Sequence, residues 1–336
     1  MNMSRVLLAS VIALVLAAPG FAQTSDKPRT PVKAYTPGRT PWGDPDLQGT
    51  FTNKDENGIP LERPGQFEGR AIDDVSGNEL ATLVKQRNQA SESQAAGIGG
   101  AETGAGPIHW YEYYGAKNSR PWLLTEPADG RIPPTTPEAK ARLAAITSQY
   151  QTHGEADAAE IRSLYDRCIT RGVIGSILPV IYNNGNEIVQ APGYVVLRNE
   201  MIHEARVIPL DGRPHLSSGV RSYLGDSRGH WDGNTLVVET TNFTDRTGIG
   251  PNGGGARHSE ALTIVERFTM ADANTLLYEA TIDDPHTWTR PWKIAFPWKR
   301  DTGPNYSMFE YACHEGNYAL RNILSGARAE EKRTAK

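Results

Sequence analysis

The stretch Met201–His215, MIHEARVIPLDGRPH, sets three groups that resist burial, His203, Glu204 and Arg206, inside a run of strand-forming residues. Side chains alternate faces along a strand. Glu204 and Arg206 therefore fall in phase with Ile202, Ile208 and Leu210, while His203, Ala205 and Val207 share the other face. A carboxylate and a guanidinium on the apolar side of a strand either pair with each other or a neighbour as a structural ion bridge, or line an enclosed polar space. In such a space the carboxylate could remove a proton and the cation could hold an anionic group.

The same phase relation recurs. In NTLVVETTNF, Thr240 and Asn242 continue the Leu236–Val238 face. In ALTIVERF, Glu266 keeps step with Leu262, Ile264 and Phe268. In TLLYEATIDD, Glu279, Thr281 and Asp283 follow Leu277, and in SMFEYACHE, Glu310 follows Met308. Strands that begin apolar and turn polar along one face describe a barrel with a packed base and a polar mouth. A solvated sheet face is the competing account.

These residues define the expected site. Glu204, Glu266 or Glu310 is the candidate base, with His230 or His258, each near a strand start, as acid partner. Arg206 would anchor a substrate anion, and His203, Trp231, Asn242 and Asp283 would line the binding space. Burial would lift a carboxylate pKa toward a useful range. The reaction class is a lyase, isomerase or hydrolase step on a small polar organic molecule. The alternative is a non-catalytic binder of small molecules in the same cavity; a third reading is an interaction protein that displays its aromatic loop.

No metal and no cofactor is expected. HEARV and HEGNY both lack the second histidine of H-E-x-x-H, GPNGGGARH carries no G-K-[ST], and no G-x-S-x-G elbow occurs. The net charge of −4 and the lack of a basic run interleaved with aromatics argue against nucleic acid as a partner.

The elements that must position these groups are mainly β with minor α. From Ile177 onward, apolar runs alternate with turn signals such as NNGN, Pro-Gly and MADANT. About eight strands without intervening helices make an antiparallel, closed or nearly closed barrel over residues 171–328, ending in a helix, YALRNILSGAR, that stops at Gly326. Residues 41–170 form a loop-rich region with a first strand and two or three helices, packed on the barrel so that 41–328 is one unit. One helix lies near GNELATLVKQRNQ, a second starts after the N-cap Thr136 with Pro137 in its first turn, and a third piece covers Glu155–Tyr165. Trp110, Tyr111, Tyr113, Tyr114 and Trp122 form an aromatic cluster, read as a lid, a stacking wall or plain packing.

Residues 1–22 read as a signal peptide, with Arg5, an apolar run from Val6 to Ala18 and cleavage after Ala22; residues 23–40 are an extended leader. The run is shorter than the roughly 20 residues a membrane span requires, so a periplasmic or secreted protein without stable membrane insertion is expected. Cys168 and Cys313, an even pair in an oxidising compartment, are expected to form a disulfide worth about 4–5 kcal/mol by loop-closure entropy.

WGDPDLQGTF, ADGRIPPTTPEA, IPLDGRPH, GHWDGNTLVVETTNF and EYACHEGNY together resemble an uncharacterised family of exported bacterial proteins, over most of the mature chain. That resemblance implies export and no catalytic residue. Asp46-Leu47-Gln48-Gly49-Thr50-Phe51 is similar to the G-x-W opening of lipocalin-type barrels, with Phe51 where the tryptophan would stand.

Overall fold

The structure, a computed structural model, describes residues 35–98, 115–152, 154, 156–303 and 308–335. The signal-peptide segment, the leader to residue 34, and Trp110, Tyr111, Tyr113 and Tyr114 lie outside the described residues.

Among the described residues twelve strands carry the fold: β1 (Gly49–Thr52), β2 (Leu124–Glu126), β3 (Gly185–Ala191), β4 (Tyr194–Asn199), β5 (Ala205–Pro209), β6 (Asp226–Asp232), β7 (Thr235–Thr241), β8 (Gly248–Ile249), β9 (Ala256–Arg257), β10 (Thr263–Met270), β11 (Thr275–Asp283) and β12 (Trp292–Arg300). The helices are α1 (Gly77–Ile98), α2 (Pro137–Thr152), α3 (Val173–Ile177) and α4 (Ala319–Thr334). Ten strands join one sheet in the order β5-β4-β3-β1-β12-β11-β10-β7-β6, with β2 paired to β12. Followed from β1, the path is an up-and-down meander that returns to β1 through β12. The short β8–β9 hairpin is an excursion between β7 and β10.

Every pairing in the sheet is antiparallel. Alternating directions around the path leave β5 and β6 running the same way, so the segment between them must travel back along the barrel. That segment is held outside by His215, whose ring nitrogens lie 2.9 Å from Asp226 Oδ2 and 3.0 Å from Glu239 Oε1. The β5–β6 seam is closed by side chains rather than by a ladder. Gly229 of β6 makes room for it: a Cβ there would stand 2.6 Å from Leu210 Cδ2 and 2.9 Å from Ile208 Cγ2. The result is a nearly closed antiparallel barrel.

Its interior is packed. Tyr278 stacks on Trp298 with ring centroids 5.2 Å apart, and Phe268 and Phe296 each lie 5.3 Å from it. All four are essentially inaccessible to solvent. At the start of the meander, the Arg300 guanidinium covers the Phe51 ring at 4.7 Å and donates to the Gln48 carbonyl at 2.7 Å. Only glycine fits at position 49, where φ is +138° and a Cβ would collide with that guanidinium.

Local signals account for several elements. Thr136 caps α2 by accepting from the Ala139 N–H at 3.1 Å. Pro192-Gly193 turns β3 into β4, and residues 271–274 turn β10 into β11. Other expectations need correction. The strand expected at Met201 starts only at Ala205, because Ile202 and His203 adopt left-handed backbone (φ 56° and 45°) in a single 3-10 turn. ILPVIY is not a strand; α3 ends at Ile177, and NNGN leads into β3 without closing a hairpin. Residues 159–161 are one 3-10 turn where a longer helix was expected. SMFEYACHE is irregular among its described residues, and α4 runs through Gly326 to Thr334.

Candidate functional site

Arg206 and Glu266 do meet. Alternation along β5 and β10 turns both inward, and two guanidinium nitrogens donate to the two carboxylate oxygens at 2.5 and 2.9 Å. The Tyr278 hydroxyl donates to Glu266 Oε1 at 3.1 Å. Glu266 and Tyr278 are fully enclosed and Arg206 nearly so. Burial is the largest influence on the Arg206 pKa and pulls it down, but the facing Glu266 charge and the hydrogen bonds to Glu266, with smaller help from Tyr278 and Glu204, together leave it raised. Burial, then the neighbouring Glu266 charge, drive the Tyr278 phenol well above its ordinary value. Fork-to-fork geometry of this kind satisfies both charges, and neither is presented to an open cavity.

Glu204 continues the polar line toward the end of the barrel. The turn at Ile202–His203 aims its carboxylate at α3 and the residues just before it, where the Ser176 and Thr170 hydroxyls donate to its two oxygens. Burial raises its pKa against those hydrogen bonds. Arg171, next in the chain to Thr170, is wholly buried. It donates from Nη2 to Asn252 Oδ1 at 2.5 Å and lies 5.5 Å from the centre of the Tyr165 ring. Its Nε and Nη1 have no hydrogen-bond partner among the described residues, and burial lowers its pKa. Tyr165 and Tyr182 bring their hydroxyls to 3.3 Å, and burial pushes the Tyr182 phenol to about 12. Tyr165 and Tyr311 are likewise raised by burial.

Tyr165 and Tyr311 border an open groove of about 600 Å³. The Cys168–Cys313 disulfide, whose Cα atoms are 5.7 Å apart, forms part of the wall and ties the segment after β12 to the segment before α3. Leu320 and Ile323 of α4 give an apolar side. Asp166, Glu310 and Glu315 supply carboxylates, and among the described residues no lysine or arginine lines the groove. His203 is exposed and its Nδ1 donates to the Tyr311 carbonyl at 2.8 Å, fastening the same segment to the barrel.

The remaining expected site residues are dispersed. Glu310 stands outside the barrel, exposed on the groove, because its segment is no strand. His230 faces outward from the middle of β6. His258 is buried between β9 and β10, with Nε2 2.6 Å from Thr247 Oγ1 and Nδ1 2.9 Å from the Ser259 carbonyl; burial lowers its pKa. Trp231 is half-buried against the core. Asn242 has φ 58° and donates from Nδ2 to the Leu216, Ser217 and Val220 carbonyls, organising a loop. Asp283 is exposed, since the inward face of β11 is Leu276, Tyr278, Ala280 and Ile282. Its neighbour Asp284 is the wired residue, accepting from Ser259 N–H at 2.6 Å and Thr287 Oγ1 at 2.5 Å. Trp122, the described member of the aromatic cluster, is core and packs on Phe67 at 5.8 Å.

Sequence reasoning missed Arg171 and the three tyrosines. The signal available was an arginine beside an apolar helix start, which is weak by itself. Among the described residues no cluster of His, Cys, Asp and Glu could hold a metal ion, and no helix is long and apolar enough to cross a membrane.

A nearly closed, up-and-down antiparallel barrel with a filled interior and a groove at its disulfide-bound end is the class this geometry defines. No protein-family model matches the chain, and no curated protein matches it. Among solved structures, similarity is found to the crystal structure of a secretary abundant heat soluble (SAHS) protein from Ramazzottius varieornatus. The identity is 10%, with 35% of this chain and 70% of that chain covered and a TM-score of 0.22. Likeness at that level bears on neither ligand nor activity here.

Proposed function

We propose that the protein is a non-catalytic binder of small organic molecules, and that the ligand sits in the groove at the end of the barrel rather than inside it. The observation that carries this reading is the contrast between the sealed interior and the open groove. Glu266, the carboxylate best placed in the barrel, is spent on Arg206 and Tyr278 and is out of reach of a substrate. The groove offers the concave apolar wall with a few polar groups that small-molecule sites use. Three carboxylates beside Tyr165 and Tyr311 favour a ligand with a flat apolar body and a cationic end. Asp166 is already paired with Arg162 at 2.9 Å, which leaves Glu310 and Glu315 to meet the cation. Export belongs to the same proposal: an oxidising compartment would keep the Cys168–Cys313 wall intact.

Titration calorimetry with tryptamine and indole-3-propionate, one ring system with opposite charges, tests the reading. Tryptamine is expected to bind about tenfold more tightly, a difference of ~1.4 kcal/mol. The preference should vanish in a Glu310→Gln, Glu315→Gln double variant. Binding of neither probe, or a preference unchanged by the double variant, would refute it.

A further inference from the structure

A second concave site lies apart from the groove, where α2, the segment 160–167 and the β8–β9 excursion meet. It encloses about 450 Å³. Five arginines line it: Arg142 from α2, Arg162 and Arg167 from the segment after the 159–161 turn, and Arg246 and Arg257 from the excursion. Two carboxylates, Glu160 and Asp245, oppose them. The whole chain carries a net charge of −4, so this excess of cations in one hollow is not a sample of the average surface.

Part of the cluster is prearranged. Arg142 Nη2 donates to Thr287 Oγ1 at 2.7 Å, and Thr287 in turn donates to Asp284 at 2.5 Å. This relay fixes the direction of the Arg142 guanidinium while its Nε stays buried without a hydrogen bond among the described residues. Arg162 is oriented by Asp166. Arg167 and Arg246 have no carboxylate within ion-pair distance among the described residues. Like charges brought together from three separate chain segments repel one another, and a bound anion would relieve that repulsion. Guanidinium forks match tetrahedral and planar oxyanions two bonds at a time.

We propose that this hollow is a binding site for a small polyanion, a compact molecule bearing two or more phosphate-like oxyanion groups. A single oxyanion would meet only part of the cluster, whereas two linked groups could engage arginines from different segments together. The hollow and the groove share no lining residue, although the Arg162–Asp166 pair joins their walls, and the assignment does not rest on the groove's ligand.

Calorimetry of the full chain with pyrophosphate and, separately, orthophosphate tests the assignment. Pyrophosphate is expected to bind about tenfold or more tightly than orthophosphate, and its affinity should fall with added salt. An Arg167→Gln, Arg246→Gln double variant should lose about tenfold or more of the pyrophosphate affinity. Arg290→Gln, at a surface pair with Asp129, should lose none. Circular dichroism and the thermal midpoint of each variant report whether the fold is intact. Pyrophosphate binding no better than orthophosphate, or equal losses in the two variants, overturns the proposal. So does co-sedimentation with phosphatidylcholine vesicles doped with phosphatidate in the absence of pyrophosphate binding, which would assign the arginines to a membrane surface.

Discussion

Arg206 and Glu266 face each other across the barrel interior through two parallel hydrogen bonds of 2.5 and 2.9 Å, with the Tyr278 hydroxyl closing the remaining side of the carboxylate. Strand phase brings the pair together, and the aromatic packing around it keeps water out. It links a sequence pattern that suggested chemistry to a structure in which the same residues hold the core.

A buried pair and a buried single charge have very different energies. Arg206→Met leaves Glu266 enclosed without its counter-charge and is expected to cost about 3–5 kcal/mol in urea unfolding. Arg206→Met combined with Glu266→Leu should recover most of that loss, because two apolar side chains need no partner. A double variant as unstable as the two single losses added together would show that the ion pair itself, rather than charge compensation, maintains the interior.

The β5–β6 seam depends on Gly229. Gly229→Val drives a branched side chain into Ile208 and Leu210 and is expected to destabilise by about 1–3 kcal/mol through overpacking. At Gly219, φ is not positive and no atom stands within 4 Å of an added Cβ, so Gly219→Ala should stay within about 0.5 kcal/mol of the wild type. Thermal or chemical denaturation distinguishes the two. Equal effects would mean that the seam is not in side-chain contact.

His258 gives the stability a pH dependence of known sign. Burial holds its folded pKa below the ordinary 6.5, so as pH falls the unfolded chain takes up this proton first. Its contribution to stability is fully present above about pH 6.5 and is lost as the pH drops through and below that value. His258→Gln should flatten this part of the stability curve between about pH 5 and 7. An unchanged slope would assign it to other groups.

How far the sequence showed this molecule follows from its local signals. The inward phase of Arg206, Thr240 and Glu266 was readable because each continues a run of large apolar residues at two-residue spacing, whereas Glu204 precedes β5 and is buried through the turn at Ile202–His203 rather than by strand phase. In β11 both phases begin with a leucine, Leu276 and Leu277, and the inward one passes through Tyr278; alternation therefore could not settle the face, and Glu279, Thr281 and Asp283 point outward. Glu310 was misplaced because a bridge to Cys168, which has no periodicity, holds its segment instead of a ladder. The disulfide followed from an even pair of cysteines in a chain read as exported to an oxidising compartment. The arginine hollow draws on residues from 142 to 257, and no spacing rule joins residues so far apart. Likewise, the meander was legible from its turns, while the same-direction seam between β5 and β6 follows only from the closure through β1.

A crystal structure of the protein with tryptamine bound is the most direct measurement. Density for the ring between Tyr311 and Ile323, with its amine at Glu310 or Glu315, is the result expected. Density inside the barrel, beside Tyr278 and a separated Arg206–Glu266 pair, would contradict the account, because the interior would then be a ligand cavity after all.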